Sequence, residues 1–113
     1  MQDCIFCKIG RKEIPSTVVY EDDQLLAFRD LNPVAPVHVL IIPKVHLDSL
    51  DGVTAEHGPL MSHLMGTVQG IARSLGLEGG YRLVSNCGPD GGQTVGHLHF
   101  HLVGGRPMQW PPG

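Results

Sequence analysis

The chain has 113 residues, enough for one domain with a small hydrophobic core, and its 42% hydrophobic and 17% charged residues exclude a disordered polymer. Eleven acidic against eight scattered basic residues give a net charge of −3, so neither nucleic acid nor an anionic membrane is an expected partner. No stretch is long and apolar enough to span a bilayer, and "MQDCIFCKIG" lacks the layout of a signal peptide, so a cytoplasmic location is expected.

The chain opens on a segment carrying "CIFC", a pair that in a reducing compartment points to metal or redox chemistry rather than a structural disulfide. Ile5, Phe6 and Ile9 there have helical spacing and predict one or two helical turns. "STVVYEDDQLLAFRD" predicts two strands with a turn at Glu21–Asp23. "NPVAP" breaks regular structure, because Pro33 and Pro36 each remove a donor and restrict the residue before them. "VHVLIIPK" is a nearly continuous apolar run, which predicts a strand buried on both faces and ending at Pro43.

"TAEHGPLMSHLMGTVQGIARSLG" predicts the one long helix, with Leu60, Leu64, Val68, Ile71 and Leu75 on its inner face. Thr54 is the expected N-cap, Glu56 suits the positive end of the helix dipole, and Gly76 is the expected C-cap. His57 and His63, on this helix, read as surface residues. "YRLVSNCG" predicts a strand, "PDGGQTVG" a glycine-rich loop, "HLHFHLVGG" the last strand and "RPMQWPPG" an irregular tail. Strands, one long helix, then strands again predict an α+β sandwich on an antiparallel sheet.

The last strand carries the chemistry. Alternation puts His97, His99 and His101 on one face and Leu98, Phe100 and Leu102 on the other. The plain alternative is a solvated strand face that happens to hold histidine. Against it stands the preceding loop, whose backbone N–H groups suit an anion, with the Thr94 hydroxyl and the Asn86 amide nearby. Imidazole beside a phosphate cradle suggests a nucleophile for phosphorus, since it is largely neutral and nucleophilic near pH 7.

"HLHFHLV" resembles the signature of the histidine-triad family, His-x-His-x-His-x-x with apolar x. The likeness extends through "CIFCKIGRKEIPSTVVYEDDQLLAFRDLNPVAPVHVLIIPKVH", "GYRLVSNCGPDGGQTVGHLHFHLVGG" and "WPPG", which look like the Hint branch of purine-nucleotide phosphoramidases. The resemblance implies a single such domain over residues 1–113, with a five-stranded antiparallel sheet, one long and one short helix.

It also implies hydrolysis of purine nucleoside 5′-phosphoramidates, releasing AMP or GMP and an amine through a covalent nucleoside-phosphoryl-histidine. His99 would be the nucleophile, His101 would contact the phosphate and move protons, and His38 would support the nucleophile. Asn86, Thr94 and the backbone of Gly92, Gln93, Thr94 and Val95 would hold the phosphate; Thr94 stands where serine is more usual. Asp30 would take the ribose hydroxyls, while Ile5, Phe6, Ile9, Phe28 and Leu31 would line the base pocket, each also readable as plain core. No metal is needed for that chemistry, yet Cys4, Cys7, His46 and His97 match a structural zinc set; the alternative is a pair of free buried cysteines. The resemblance further implies a homodimer, with Trp110 near the partner's active site, whereas by itself Trp110 reads as a core residue. Cys87 reads as structural. Three competing functions remain: a nucleotidyl transferase or acyl-adenylate hydrolase using the same intermediate, a non-catalytic nucleotide-binding module, and a metalloenzyme using the histidine row as ligands.

Overall fold

The computed structural model describes residues 3–113. The element order is α1 (Ile5–Gly10), β1 (Val18–Glu21), β2 (Leu25–Arg29), β3 (Val37–Pro43), α2 (Gly58–Ser74), β4 (Tyr81–Val84) and β5 (Phe100–Gly104), with two 3-10 turns at Leu50–Gly52 and Ala55–His57. The five strands form one antiparallel sheet in the order β1-β2-β3-β5-β4. Among the described residues no helix is long and apolar enough to cross a membrane.

The sheet is covered on both faces, and β3 at its centre shows why its sequence is almost unbroken in apolar residues. Val39 and Ile41 face α2, packing with Leu64, Val68, Ile71, Phe100 and Leu102. Leu40 and Ile42 face the other way, onto Phe6 and Ile9 of α1. Six residues cannot hold a helix alone in water. α1 persists because Phe6 and Ile9 are buried, each side chain contributing about 1.5–3 kcal/mol. Cys4 caps its start, its Sγ accepting the Cys7 N–H at 3.3 Å.

Several boundaries differ from the sequence expectation. The long helix begins at Gly58 rather than near Thr54, because the chain first makes the Ala55–His57 3-10 turn, where the Thr54 N–H donates to His57 Nδ1 at 2.9 Å. Gly76 does follow the helix, at φ +77, and the Leu77 N–H returns to the Ala72 carbonyl at 3.0 Å, in the manner of a left-handed cap. The first hairpin turns at Asp22–Gln24, where Asp22 Oδ1 accepts the N–H groups of Gln24 and Leu25 at 2.8 Å each. β4 ends at Val84, short of the expected turn.

The last strand starts only at Phe100, not at His97. Pro43, which would sit opposite that extension, has no N–H to give a ladder. The Leu98 N–H goes instead to the Leu47 carbonyl at 2.6 Å. Trp110 is 82% exposed in this chain, so its core reading does not hold. His63 is no idle surface residue: its Nε2 lies 2.6 Å from Asp22 Oδ2, which also accepts the Tyr20 hydroxyl at 2.6 Å, tying α2 to the first hairpin.

Candidate active site and metal centre

Although His97 and His99 precede β5, the alternation survives. Leu98, Phe100 and Leu102 enter the core beneath α2, while all three histidine rings lie on the α1 face. The row is not a solvated face, since His97 is 0% and His99 5% exposed. Phe6 sets its ring edge-on to both, with centroids 6.0 Å from His97 and 5.1 Å from His99. α1 therefore positions the row directly, through one aromatic side chain.

The three histidines divide into two sites. His97 turns its Nδ1 to the paired cysteines, 3.3 Å from Cys4 Sγ and 3.6 Å from Cys7 Sγ. His46 completes the group, with Nδ1 3.3 Å from Cys7 Sγ. For zinc with ligands at about 2.3 Å (sulfur) and 2.0–2.1 Å (nitrogen), the S···N edge of a tetrahedron is about 3.6 Å, so these four atoms have the spacing a tetrahedral ion needs. The outer ring nitrogens agree. His97 Nε2 donates to the Pro43 carbonyl at 2.8 Å, and His46 Nε2 donates to Asp48 Oδ1 at 2.7 Å. Both protons are thereby placed on Nε2, and both Nδ1 lone pairs face the cysteines. Burial lowers the pKa of His97 and, together with Cys4, raises that of the Cys7 thiol. The residues present fit a structural metal, and all four ligand atoms lie within 4.8 Å of one another.

His99 and His101 face a cavity of about 600 Å³. His99 Nδ1 donates to the carbonyl of His97 at 2.7 Å, which leaves the Nε2 lone pair unprotonated. His101 lies next to it, with ring centroids 5.1 Å apart. His38, expected to support the nucleophile, contacts His101 instead, with Nε2 2.9 Å from His101 Nδ1. The Val34 N–H donates to His38 Nδ1 at 3.2 Å, so His38 carries its proton on Nε2 and gives it to His101 Nδ1. The proton of His101 then sits on its own Nε2. Burial first, then the neighbouring His99 and His38, lower the pKa of His101 and favour its neutral form. Asp30 Oδ2 is 3.4 Å from His38 Nε2.

Asp30, His38 and His101 also lie close enough together to be considered as metal ligands. The hydrogen bonding disfavours this, because His38 Nε2 is the donor of a 2.9 Å bond and has no lone pair to give.

The cavity brings together Ile5, Phe6, Ile9, Phe28, Leu31 and Asp30 with Thr94, Val95, His99 and His101. Leu31 stands at its mouth, 94% exposed. Asn86, Gly92 and Gln93 do not line it. The loop explains the last two. The Gly92 N–H is bound to the Pro89 carbonyl at 3.0 Å and the Gln93 N–H to the Gly88 carbonyl at 3.1 Å. The Gln93 side chain ties the loop together, accepting the Gly88 N–H and donating to Asp48 and Val95 carbonyls. The part of the loop that lines the cavity narrows to Thr94 and Val95. Sequence reasoning missed Leu40, Ile14, Ser16, Thr17 and Asn32 in the wall. Leu40 was findable, since it lies two residues from His38 on the same strand face. The others sit in irregular segments with no periodic signal.

The HIT domain family pattern matches residues 11–108. An uncharacterized HIT-like protein of Synechococcus elongatus is 59% identical over 112 residues, covering 99% of this chain and 98% of that one. A 14 kDa zinc-binding protein of Zea mays is 55% identical over 112 residues, covering 96% and 87%. The crystal structure of a HIT family hydrolase from Legionella pneumophila superposes with a TM-score of 0.96 at 50% identity, covering 98% of this chain and 100% of that chain.

Proposed function

This chain belongs to the HIT domain family, and from that premise we propose that it is a hydrolase of purine nucleoside 5′-phosphoramidates, acting through His99 and stabilised by a structural zinc. The observation that carries the reading is the state of His99. One nitrogen is committed to a carbonyl at 2.7 Å, and the other is a free lone pair on the wall of a cavity that also holds Asp30 and Thr94.

In the first step His99 Nε2 forms a bond to phosphorus and the P–N bond breaks. The departing nitrogen, already protonated in the substrate, takes its electron pair and leaves as a neutral amine, while the His101 Nε2–H donates a hydrogen bond to a phosphate oxygen. The imidazole ring of His101 lies beside phosphorylated His99, with centroids 5.1 Å apart. Water then attacks phosphorus, one of its protons passes to the freed amine, and the N–P electron pair returns to His99. The products are a nucleoside monophosphate and an amine. Thr94 and the Val95 amide hold the phosphate oxygens, Asp30 accepts the ribose hydroxyls, and Phe6, Ile9 and Phe28 stack against the base. Cys4, Cys7, His46 and His97 would hold zinc, which supplies rigidity to α1 and the segment before β5 and takes no part in the reaction.

We further propose, from the family resemblance, that the protein is a homodimer; β4 is one of the two edge strands of the sheet, and Tyr81 on it and the nearby Met65 on α2 are 45% and 47% exposed. Sedimentation showing a stable monomer would remove this part of the reading.

The test is hydrolysis of an AMP–lysine phosphoramidate by wild type and His99→Ala, with and without chelation, alongside rapid quenching and mass analysis of the protein. Wild type turns over and gains the mass of AMP on the peptide containing His99, and the variant does neither. A wild type that binds AMP tightly without turnover would leave a nucleotide-binding module as the function. Immediate loss of activity on chelation would point to a catalytic metal.

A further inference from the structure

Two contacts set the proton arrangement of the His38–His101 pair, the Asp30 carboxylate near His38 Nε2 and the Val34 N–H on His38 Nδ1, and the second lies in an exposed loop. The loop has little to hold it. Pro33 and Pro36 contribute no N–H, and its residues join no strand. At its start the Asn32 N–H is bound to Asp30 Oδ1 at 2.8 Å. Beyond that point its carbonyl at Val34 is bound by the guanidinium of Arg106, which donates from Nη2 at 2.9 Å.

Arg106 reaches the loop because the strands bring it there. Val37 at the start of β3 pairs with Gly104 at the end of β5. Gly105 follows at φ +91, and a Cβ on it would meet Pro36 Cβ at 3.0 Å, so the chain leaving β5 lies directly on the proline-rich loop. The second Arg106 nitrogen, Nη1, binds the Pro107 carbonyl at 3.2 Å, which keeps the guanidinium turned toward Val34.

We propose that Arg106 is a positioning residue for the histidine relay: by holding the Val34 backbone at its carbonyl it steadies the Val34 N–H on the other side of the same Cα, and so biases the tautomer of His38 and, through it, the proton on His101. The alternative arrangement is chemically accessible. With the Val34 amide displaced, His38 Nδ1 meets water and can carry the proton itself. His38 Nε2 then becomes an acceptor, His101 must donate from Nδ1, and His101 Nε2 loses the N–H that it would present to the substrate phosphate. The two arrangements have the same composition and charge; the Asp30 carboxylate, 3.4 Å from His38 Nε2, favours the first, and the Val34 N–H on Nδ1 adds to that preference. The kinetic part of this inference rests on the phosphoramidase reading, whereas its tautomer part does not.

Two-bond 15N–1H correlation spectra of the histidine rings test it directly, in wild type, Arg106→Ala and Arg106→Lys. In wild type His38 and His101 both show the Nε2–H form. Arg106→Ala gives mixed tautomers at both rings while His99 keeps its own, and Arg106→Lys, which retains a donor, restores the wild-type pattern. On the phosphoramidate, kcat falls roughly tenfold in Arg106→Ala with KM within about twofold, and recovers in the lysine variant. Unchanged His38 and His101 ring signals in Arg106→Ala would overturn the proposal, as would altered signals with unchanged kcat. If wild type hydrolyses no phosphoramidate, the proposed reaction fails and the ring spectra still decide the tautomer claim. If Arg106→Ala does not fold, the same spectra of Arg106→Met decide it, since that side chain keeps the bulk and donates no hydrogen bond to the Val34 carbonyl.

Discussion

Withdrawing the metal tests the Cys4–Cys7–His46–His97 centre by its effect on folding. These ligands come from four separated positions in sequence, and only the folded chain brings their donor atoms within 4.8 Å. Zinc therefore binds the native state far more tightly than the unfolded one, and its contribution to stability follows from mass action. At free zinc 100-fold above its dissociation constant the gain is about 2.7 kcal/mol. The unfolding entropy of a 113-residue chain is about 0.24 kcal/mol/K, at ~2.1 cal/mol/K per residue. The melting temperature should then fall by about 11 °C on chelation. Calorimetric scans of zinc-loaded and chelator-dialysed protein under reducing conditions measure this, and His46→Ala serves as control because it should melt near the chelated wild type in either buffer. Coincident melts, within about 2 °C, would refute the argument. So would metal analysis finding no zinc in protein purified without chelator.

Asp22→Asn should cost about 2 kcal/mol in urea denaturation at pH 7, because the carboxylate accepts from Tyr20, Gln24, Leu25 and His63. Burial alone would raise the Asp22 pKa, but those hydrogen bonds hold it far below the usual carboxylate range. Its stabilisation is thus complete above about pH 4 and lost as pH falls through the depressed folded value, so wild type and variant should converge in acid. A loss under about 0.5 kcal/mol at neutral pH would remove the clamp between α2 and the first hairpin from the account. The proposed role of His101 uses its neutral form, and burial lowers its pKa below the ordinary 6.5. Its ring nitrogen signals should therefore titrate below pH 6.5, and a midpoint above that value would contradict the assigned proton. Gly91→Ala should lower phosphoramidate turnover without altering the histidine ring spectra, since the added Cβ would press on the Cys87 carbonyl oxygen and displace the loop that presents Thr94. Wild-type turnover in that variant would separate the loop from phosphate binding.

What could be read from sequence followed periodicity and spacing. The run "VHVLIIP" announced a strand covered on both faces, and the period of two in "HLHFHLV" placed three imidazoles together even though two of them lie outside the ladder. The pair Cys4 and Cys7 pointed to metal or redox chemistry, and only the family resemblance joined His46 and His97 to it. Hydrogen bonds between distant residues left no such trace. Nothing in the neighbourhood of His63 points to Asp22, 41 positions away, and nothing near Val34 points to Arg106, 72 positions away. The strand boundary at Phe100 depended on Pro43, whose missing N–H acts across the sheet rather than along the chain. The glycine-rich loop was legible as a loop, but which amides it keeps for itself depended on the Gln93 side chain folding back to Gly88.

His97 belongs to both centres through different atoms. Its ring enters the cysteine cluster, while its carbonyl holds the His99 proton 2.7 Å away. Substitution at 97 removes the ring but never the carbonyl, so the tautomer of His99 can outlive the loss of the ligand only if the peptide stays where the ring had anchored it. Inhibitors of the metal centre and inhibitors of the nucleotide cavity, though they would touch no common side chain, would act on a common peptide bond. Binding at either site should be felt at the other, with a sign set by whether the peptide is tightened or released.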